Sequence, residues 1–344
     1  MPDPPEDVLN NRKLAREALM AIADAVDPAA HDGLMEIEIL PQSMFPPGAS
    51  VLRDASAVAI NKSSLKAAYL EALDNVSHAT YVSDDAKHLL DYETIVEALR
   101  SLAVLILLQP EHLMATNLRK SLLAPVCVKQ TGVRIARHPD LMRLEKTFID
   151  SLLTSPLNTH NKSPTLWSHR RWVYTRLFRF GFTDVLEDLT GVVMVAGEKH
   201  PRNYYAWNHA RYLMDLVDWR YEEEKQEILD AVVDWCKRHH DDISGWSFLQ
   251  CLLLAERRYE QGAVRCVLQD VLHLAQSLCW TNESVWVFLR TIAASKVTRE
   301  PEYREFLRTV AALEAGIGDQ TAKRVLKAAA RWCADYRQGW KAGS

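Results

Sequence analysis

The sequence lacks most of what a self-sufficient catalytic centre would show. No G-x-S-x-G, H-E-x-x-H, G-x-G-x-x-G or P-loop run occurs in its 344 residues, which removes the common nucleophile, zinc-hydrolase and nucleotide signatures. The six cysteines, Cys127, Cys236, Cys251, Cys266, Cys279 and Cys333, form no C-x-x-C pair. They read as buried thiols of a reducing compartment, neither a disulfide frame nor a zinc site. His239 and His240 follow Cys236, but no second cluster stands at ligand spacing, so no metal is expected in this chain. A net charge of −4 leaves no basic footprint for nucleic acid. The longest apolar run, Leu102 to Leu108, is too short to span a bilayer, so no transmembrane segment is expected. The N-terminal residues are Pro-rich and acidic, unlike a signal peptide, and Lys341-Ala342-Gly343-Ser344 is no lipidation motif. The expectation is a cytoplasmic protein. Only 12 glycines and few β-branched runs favour helix over sheet.

What the chain does have is a period. Trp167, Trp207, Trp246 and Trp286 lie 40, 39 and 40 residues apart, and a fixed interval of that size marks stacked repeats. Four residues before each stands Ser163, Asn203, Asp242 or Asn282, all side chains that cap helix N-termini. Pro164 falls at a first helical position, where its missing N–H costs nothing. Four residues after each tryptophan come Arg171, Arg211, Gln250 and Arg290, one turn along the helix. The spacing predicts capped amphipathic helices carrying a tryptophan and a long polar side chain on the inner stripe. The tryptophans are read as core, and Arg171, Arg211 and Arg290 as staples between repeats in preference to ligand contacts.

Along the chain, residues 1–62 read as a tail, a helix over 7–25 and an irregular flap over 31–60 in which 34–40 alternates like a short strand. Residues 63–340 read as a helical-repeat array. A long helix is expected from a cap at Ser83 to Leu108, followed by a worn repeat near 111–124 with Thr116 in the tryptophan slot and Lys120 in the arginine slot. An inserted loop is expected over 125–138. Helices are then expected over 139–154, 163–179, 183–199, 203–217, 221–240, 242–257, 259–278, 282–296, 301–315 and 319–337. The fold class is all-α, a right-handed superhelix of tandem helical hairpins.

Two positions carry chemistry. Lys162 and Arg202 each stand five residues ahead of a tryptophan, immediately before a cap, whereas the later repeats have Asp241 and Thr281 there. A cation beside the free N–H groups and positive end of a helix can form an anion site suited to phosphate or diphosphate. Two solvated loop charges are the plainer reading of the same residues.

The runs Lys-Ser-Pro-Thr-Leu-Trp-Ser-His-Arg-Arg (162–171) and Arg-Asn-Tyr-Tyr-Ala-Trp-Asn-His-Ala-Arg (202–211) resemble the repeat of protein prenyltransferase α subunits, whose pattern is Lys/Arg-Asn-Tyr-x-x-Trp-x-x-Arg. Glu36-Ile37-Glu38-Ile39-Leu40-Pro41 and Glu111-His112-Leu113-Met114 add to the likeness, which covers about residues 34–300 and points to the branch forming a third geranylgeranyltransferase. The resemblance implies a crescent around a β subunit of the Rab geranylgeranyltransferase type, an α/α barrel holding the catalytic zinc and the isoprenoid pocket. It implies that the zinc lies in that partner and that this chain carries no cofactor. The substrates would be an isoprenoid diphosphate and a protein ending in cysteine, such as an already lipidated SNARE. By the same likeness Lys162 is the catalytic residue, steadying the departing diphosphate, with Arg202 and Tyr205 beside it. Tyr205 stands where farnesyltransferase α subunits have histidine; a phenol can donate a hydrogen bond there but carries no positive charge. Thr116 and Gln250 depart from the pattern. A non-enzymatic repeat scaffold is the rival expectation.

Overall fold

The tryptophan helices start at their cap residues. Ser163 Oγ accepts the Leu166 N–H at 3.0 Å ahead of helix Pro164–Phe178. Asn203 Oδ1 accepts the Ala206 N–H at 3.2 Å ahead of Tyr204–Met214. Asp242 Oδ1 accepts from Ser244 and Gly245 at 2.8 and 3.0 Å ahead of Ile243–Leu254. Ahead of Glu283–Ala294, Asn282 makes no cap bond and instead donates from Nδ2 to the His240 carbonyl. The computed structural model describes residues 6–80, 91–124, 126–127, 134–135, 139–255 and 258–342. They form an all-α fold of helical repeats with a little sheet, divided into two units: residues 1–184 with 198–200, and residues 185–197 with 201–344.

In the second unit Tyr204–Met214 packs on Ile243–Leu254, that helix on Glu283–Ala294, and that in turn on Gln320–Ala342. The returning helices Gln261–Ser277 and Glu300–Gly316 pack on each other as a second row. The buried positions repeat in register. Ala206, Trp207, His209, Ala210, Leu213 and Met214 correspond to Gly245, Trp246, Phe248, Leu249, Leu252 and Leu253. Trp246 donates its indole N–H to the His240 carbonyl at 3.0 Å, and Trp286 to that of Trp280 at 2.8 Å, each six residues back. Trp207 is the exception. Its N–H is buried without an acceptor among the described residues, and its ring meets Trp235 edge-on at 4.7 Å.

The last helix is a sixth repeat that the sequence reading did not separate. Asp319 caps it, accepting from Thr321 and Ala322 at 2.9 and 3.2 Å. Lys323 therefore occupies the tryptophan slot, four residues after the cap. Among the described side chains of this helix, the stripe Ala322, Leu326, Ala329 and Cys333 is buried.

In the first unit Glu6–Ala25 packs on Lys62–Thr80, and both pack on Tyr92–Leu108; Pro164–Phe178 lies against Leu113–Leu123 and Pro139–Thr154. The stretch 31–60 is not an irregular flap. It holds a three-stranded sheet of β1 (Glu36–Leu40), β2 (Val51–Asp54) and β3 (Ala57–Asn61), with β3 central, parallel to β1 and antiparallel to β2. The β2–β3 turn is Ala55-Ser56, with Ala55 left-handed at φ 49°, so the Asn-Gly or Asp-Gly signal that betrays such hairpins is missing. Ile37, Val58 and Ile60 are buried. The hydroxyls of Ser151 and Ser155 accept the N–H groups of Met35 and Ile37 at 2.9 and 3.0 Å, so helix Pro139–Thr154 covers an edge that would otherwise be open.

Four further expectations are amended or fall partly outside the described residues. Asp91 caps Tyr92–Leu108 through the Thr94 N–H at 2.8 Å, while the cap expected at Ser83 lies outside the described residues. Of the expected 125–138 loop, only the pair Val126–Cys127 and Arg134–Ile135 is described, as two antiparallel strands. The helix expected over 183–199 is broken by a π-helical turn at Leu189–Met194. Cys236 and Cys333 are buried as expected, but Cys251, Cys266 and Cys279 are exposed. No helix among the described residues is long and apolar enough to cross a membrane.

Candidate anion site and its buried supports

In the first unit Lys162 stands between two fully buried neighbours. Asn161 donates from Nδ2 to the Leu153 carbonyl, and its own carbonyl accepts the Trp167 indole N–H at 2.7 Å. Ser163, on the other side, caps the helix. The backbone is thus pinned before and after, and the lysine side chain is exposed between the pins. Lys162 shares its surroundings with Lys199 and His200. Burial first, then the charges of Lys162 and Lys199, push the His200 pKa down, so near neutral pH its ring is uncharged. The His200 Nε2 is buried with no hydrogen-bond partner among the described residues. Lys199 also pairs with Glu36 at 3.0 Å. His200 escaped the sequence reading; its place two residues before Arg202 was the available signal.

Arg202 belongs to the second unit. Its backbone is left-handed at φ 61°, unusual for a residue with a side chain. Its N–H is held by Asp242 Oδ2 at 2.6 Å, so one carboxylate both caps its own helix and fixes the turn of the preceding repeat. The Arg202 side chain is exposed. Tyr205 is exposed on the first turn of its helix, its ring edge-on to Tyr204 at 5.6 Å.

Trp167, Trp207, Trp246 and Trp286 are all buried core. The arginines need correction. The buried arc of Pro164–Phe178 is Leu166, Trp167, His169, Arg170, Val173, Tyr174 and Leu177. Trp167 lies on one flank of that arc, and four residues of about 100° each carry Arg171 beyond it. Arg171 is exposed, and Arg170 is the buried arginine. Arg211 and Arg290, at the same edge, are half-buried. Arg211 donates to the Trp207 carbonyl and to Ser247 Oγ of the next repeat, both at 3.1 Å. Arg290 lies over the Trp332 ring at 4.8 Å.

The first unit also holds a buried ionic cluster. Arg170 Nε donates to Asp150 Oδ1 at 2.6 Å, and Lys146 reaches Asp150 Oδ2 at 2.8 Å. In the worn repeat Arg119, not Lys120, is buried; it grips both oxygens of Glu145 and the Leu99 carbonyl. His169 joins Glu145 Oε1 at 2.6 Å. Burial alone would raise the Glu145 pKa, but Arg119 and His169 hold it at about 2. Arg119 and Arg170 both stand three residues after the tryptophan slot, a signal present in the sequence but overlooked in favour of the fourth. Among the described residues no group of three or more His, Cys, Asp or Glu side chains is placed to hold a metal ion.

The comparisons agree with the repeats. The family described as the ECM9 middle domain matches residues 166–275, which takes in the repeats of Trp167, Trp207 and Trp246. The chain is 29% identical over 163 residues to Protein ECM9 of Saccharomyces cerevisiae, covering 46% of this chain and 41% of that protein. It is 28% identical over 188 residues to protein prenyltransferase alpha subunit repeat-containing protein 1 of Danio rerio, covering 49% of this chain and 40% of that one. The chain therefore spans about two fifths of the length of the curated relatives it matches. The prenyltransferase α-subunit resemblance carried by the tryptophan repeats thus has a counterpart in a relative whose name records those repeats.

Proposed function

We propose that this chain is the α-type subunit of a heterodimeric protein prenyltransferase, inactive alone. It pairs with a zinc-bearing β subunit of the Rab geranylgeranyltransferase type and works in the cytoplasm. The reaction moves a geranylgeranyl or farnesyl group from its diphosphate to a C-terminal cysteine of a protein. The observation that carries this reading is Lys162: an exposed ammonium on a backbone pinned at both neighbours, next to Lys199 and the orphaned Nε2 of His200. Departing diphosphate gains negative charge, and a fixed cation steadies the transition state more than the ground state. Any zinc sits in the partner and would activate the acceptor thiolate there. Arg202 and Tyr205 are proposed as further diphosphate contacts.

The test is reconstitution with the β subunit and geranylgeranyl diphosphate, comparing wild type with Lys162→Ala. The expected result is a heterodimer of unchanged affinity whose transfer rate falls about a hundredfold. An unchanged rate in an assembled complex ends the charge assignment. The rival reading, a non-enzymatic scaffold, draws on the tryptophan slots held by Thr116 and Lys323. Failure of any β subunit to co-purify would favour it.

A further inference from the structure

The repeats allow one seam to be compared with another. Where the Trp207 repeat meets the Trp246 repeat, Arg211, four residues after its tryptophan, donates to Ser247, one residue after the next tryptophan. Where the Trp286 repeat meets the terminal repeat, the matching residues are Arg290 and, one residue after Lys323, Arg324. Two guanidinium groups replace a donor and an acceptor. Both line one cleft between helices Glu283–Ala294 and Gln320–Ala342, with a volume of about 220 Å³ and walls of Trp286, Val287, Val325, Ala328 and Ala329. The Arg290 Nε is buried with no hydrogen-bond partner among the described residues, and the guanidinium is held over Trp332. Glu283 lines the same cleft, yet no ion pair joins it to either arginine among the described residues.

We propose that this cleft binds a carboxylate borne on an apolar stem, seated between Arg290 and Arg324. Two guanidinium groups line one cleft, and a planar carboxylate matches the guanidinium fork. Glu283 leaves the cleft one net positive charge, which suits a monoanion over a phosphate dianion. The apolar walls take the stem. The carboxylate can belong to a free organic acid or to an acidic side chain of a polypeptide. This inference is independent of the proposed transferase role and uses none of its residues.

The experiment is thermal unfolding of the full chain at matched ionic strength with sodium hexanoate, with the peptide N-acetyl-Leu-Glu-Leu-amide, with sodium phosphate, and with hexylammonium chloride. Hexanoate, the peptide or both should raise the Tm of the wild type, and hexylammonium should not. A rise with hexanoate alone assigns a free acid, and a rise with the peptide alone assigns a polypeptide side chain; each sustains the inference. Arg324→Ser, which rebuilds the arginine–serine seam on an exposed position, should unfold no earlier than wild type without ligand and bind carboxylate about tenfold more weakly. No rise above chloride, a larger rise with phosphate than with either carboxylate, or full binding by Arg324→Ser would overturn it.

Discussion

Glu145 accepts from Arg119 and from His169, and its burial makes the arginine's charge necessary. Glu145→Gln leaves Arg119 in the core without a counter-charge, so equilibrium denaturation should show a loss of about 3–5 kcal/mol. The same cluster fixes a pH response. Glu145 has a folded pKa of about 2 against an ordinary 4.5, so its contribution is present above pH 4.5 and lost as pH falls toward 2. His160 adds an earlier phase. Burial pushes its pKa from 6.5 to about 4, even though the Ile106 and Leu107 carbonyls accept from its Nε2. The unfolded chain therefore takes up a proton first, and stability falls between pH 6.5 and 4, by up to about 3 kcal/mol. The rise of urea midpoints with pH over that interval should be smaller in His160→Gln than in the wild type. The arginines teach a residue-scale lesson. Periodicity located the helix face but not its edge, because only the full set of buried neighbours shows that Trp167 is a flank of the arc and not its centre. The charge partners on Pro139–Thr154 were illegible for a different reason: nothing local says which helix will lie opposite.

At the scale of the element, the residue before each tryptophan tells what the returning helix brings. It is Ala206 in one repeat and Gly245 in the next, and a Cβ on Gly245 would stand 2.4 Å from the Trp235 ring and 3.3 Å from that of Trp207. Gly245→Ala should cost about 1–3 kcal/mol in thermal or urea unfolding, since both rings must shift. Gly262, near the start of Gln261–Ser277, has nothing within 4 Å of such a Cβ. Gly262→Ala should instead stabilise by about 0.5–1 kcal/mol in the same assay. Helices and most caps were legible because capping and 3.6-residue periodicity are local. The sheet was half legible: β1 alternates visibly, but β2 and β3 are short, and their left-handed turn residue is an alanine.

At the scale of the molecule, repeats that touch only their neighbours need not melt together. Asp319 holds the head of the terminal helix through two bonds, and Asp319→Ala should remove about 0.5–2 kcal/mol there. Native-state hydrogen exchange should then lose protection over 320–342 while residues 204–254 keep theirs; uniform loss along the chain would contradict a neighbour-only stack. That terminal repeat was hidden in the sequence because it lacks the tryptophan by which the others announce themselves, and it follows Trp286 by 37 residues, not 40. Its cap and buried stripe identify it only once the register of the others is known.

The indole of Trp167 is a core filler and also a rivet. By fastening the Asn161 carbonyl at 2.7 Å, it ties the mounting of the neighbouring lysine to the interior of the same helix. Phenylalanine at 167 would keep most of the bulk and release the rivet, so the lysine could wander while the helix stayed whole. Aim and architecture would then be separable by the loss of a single proton donor.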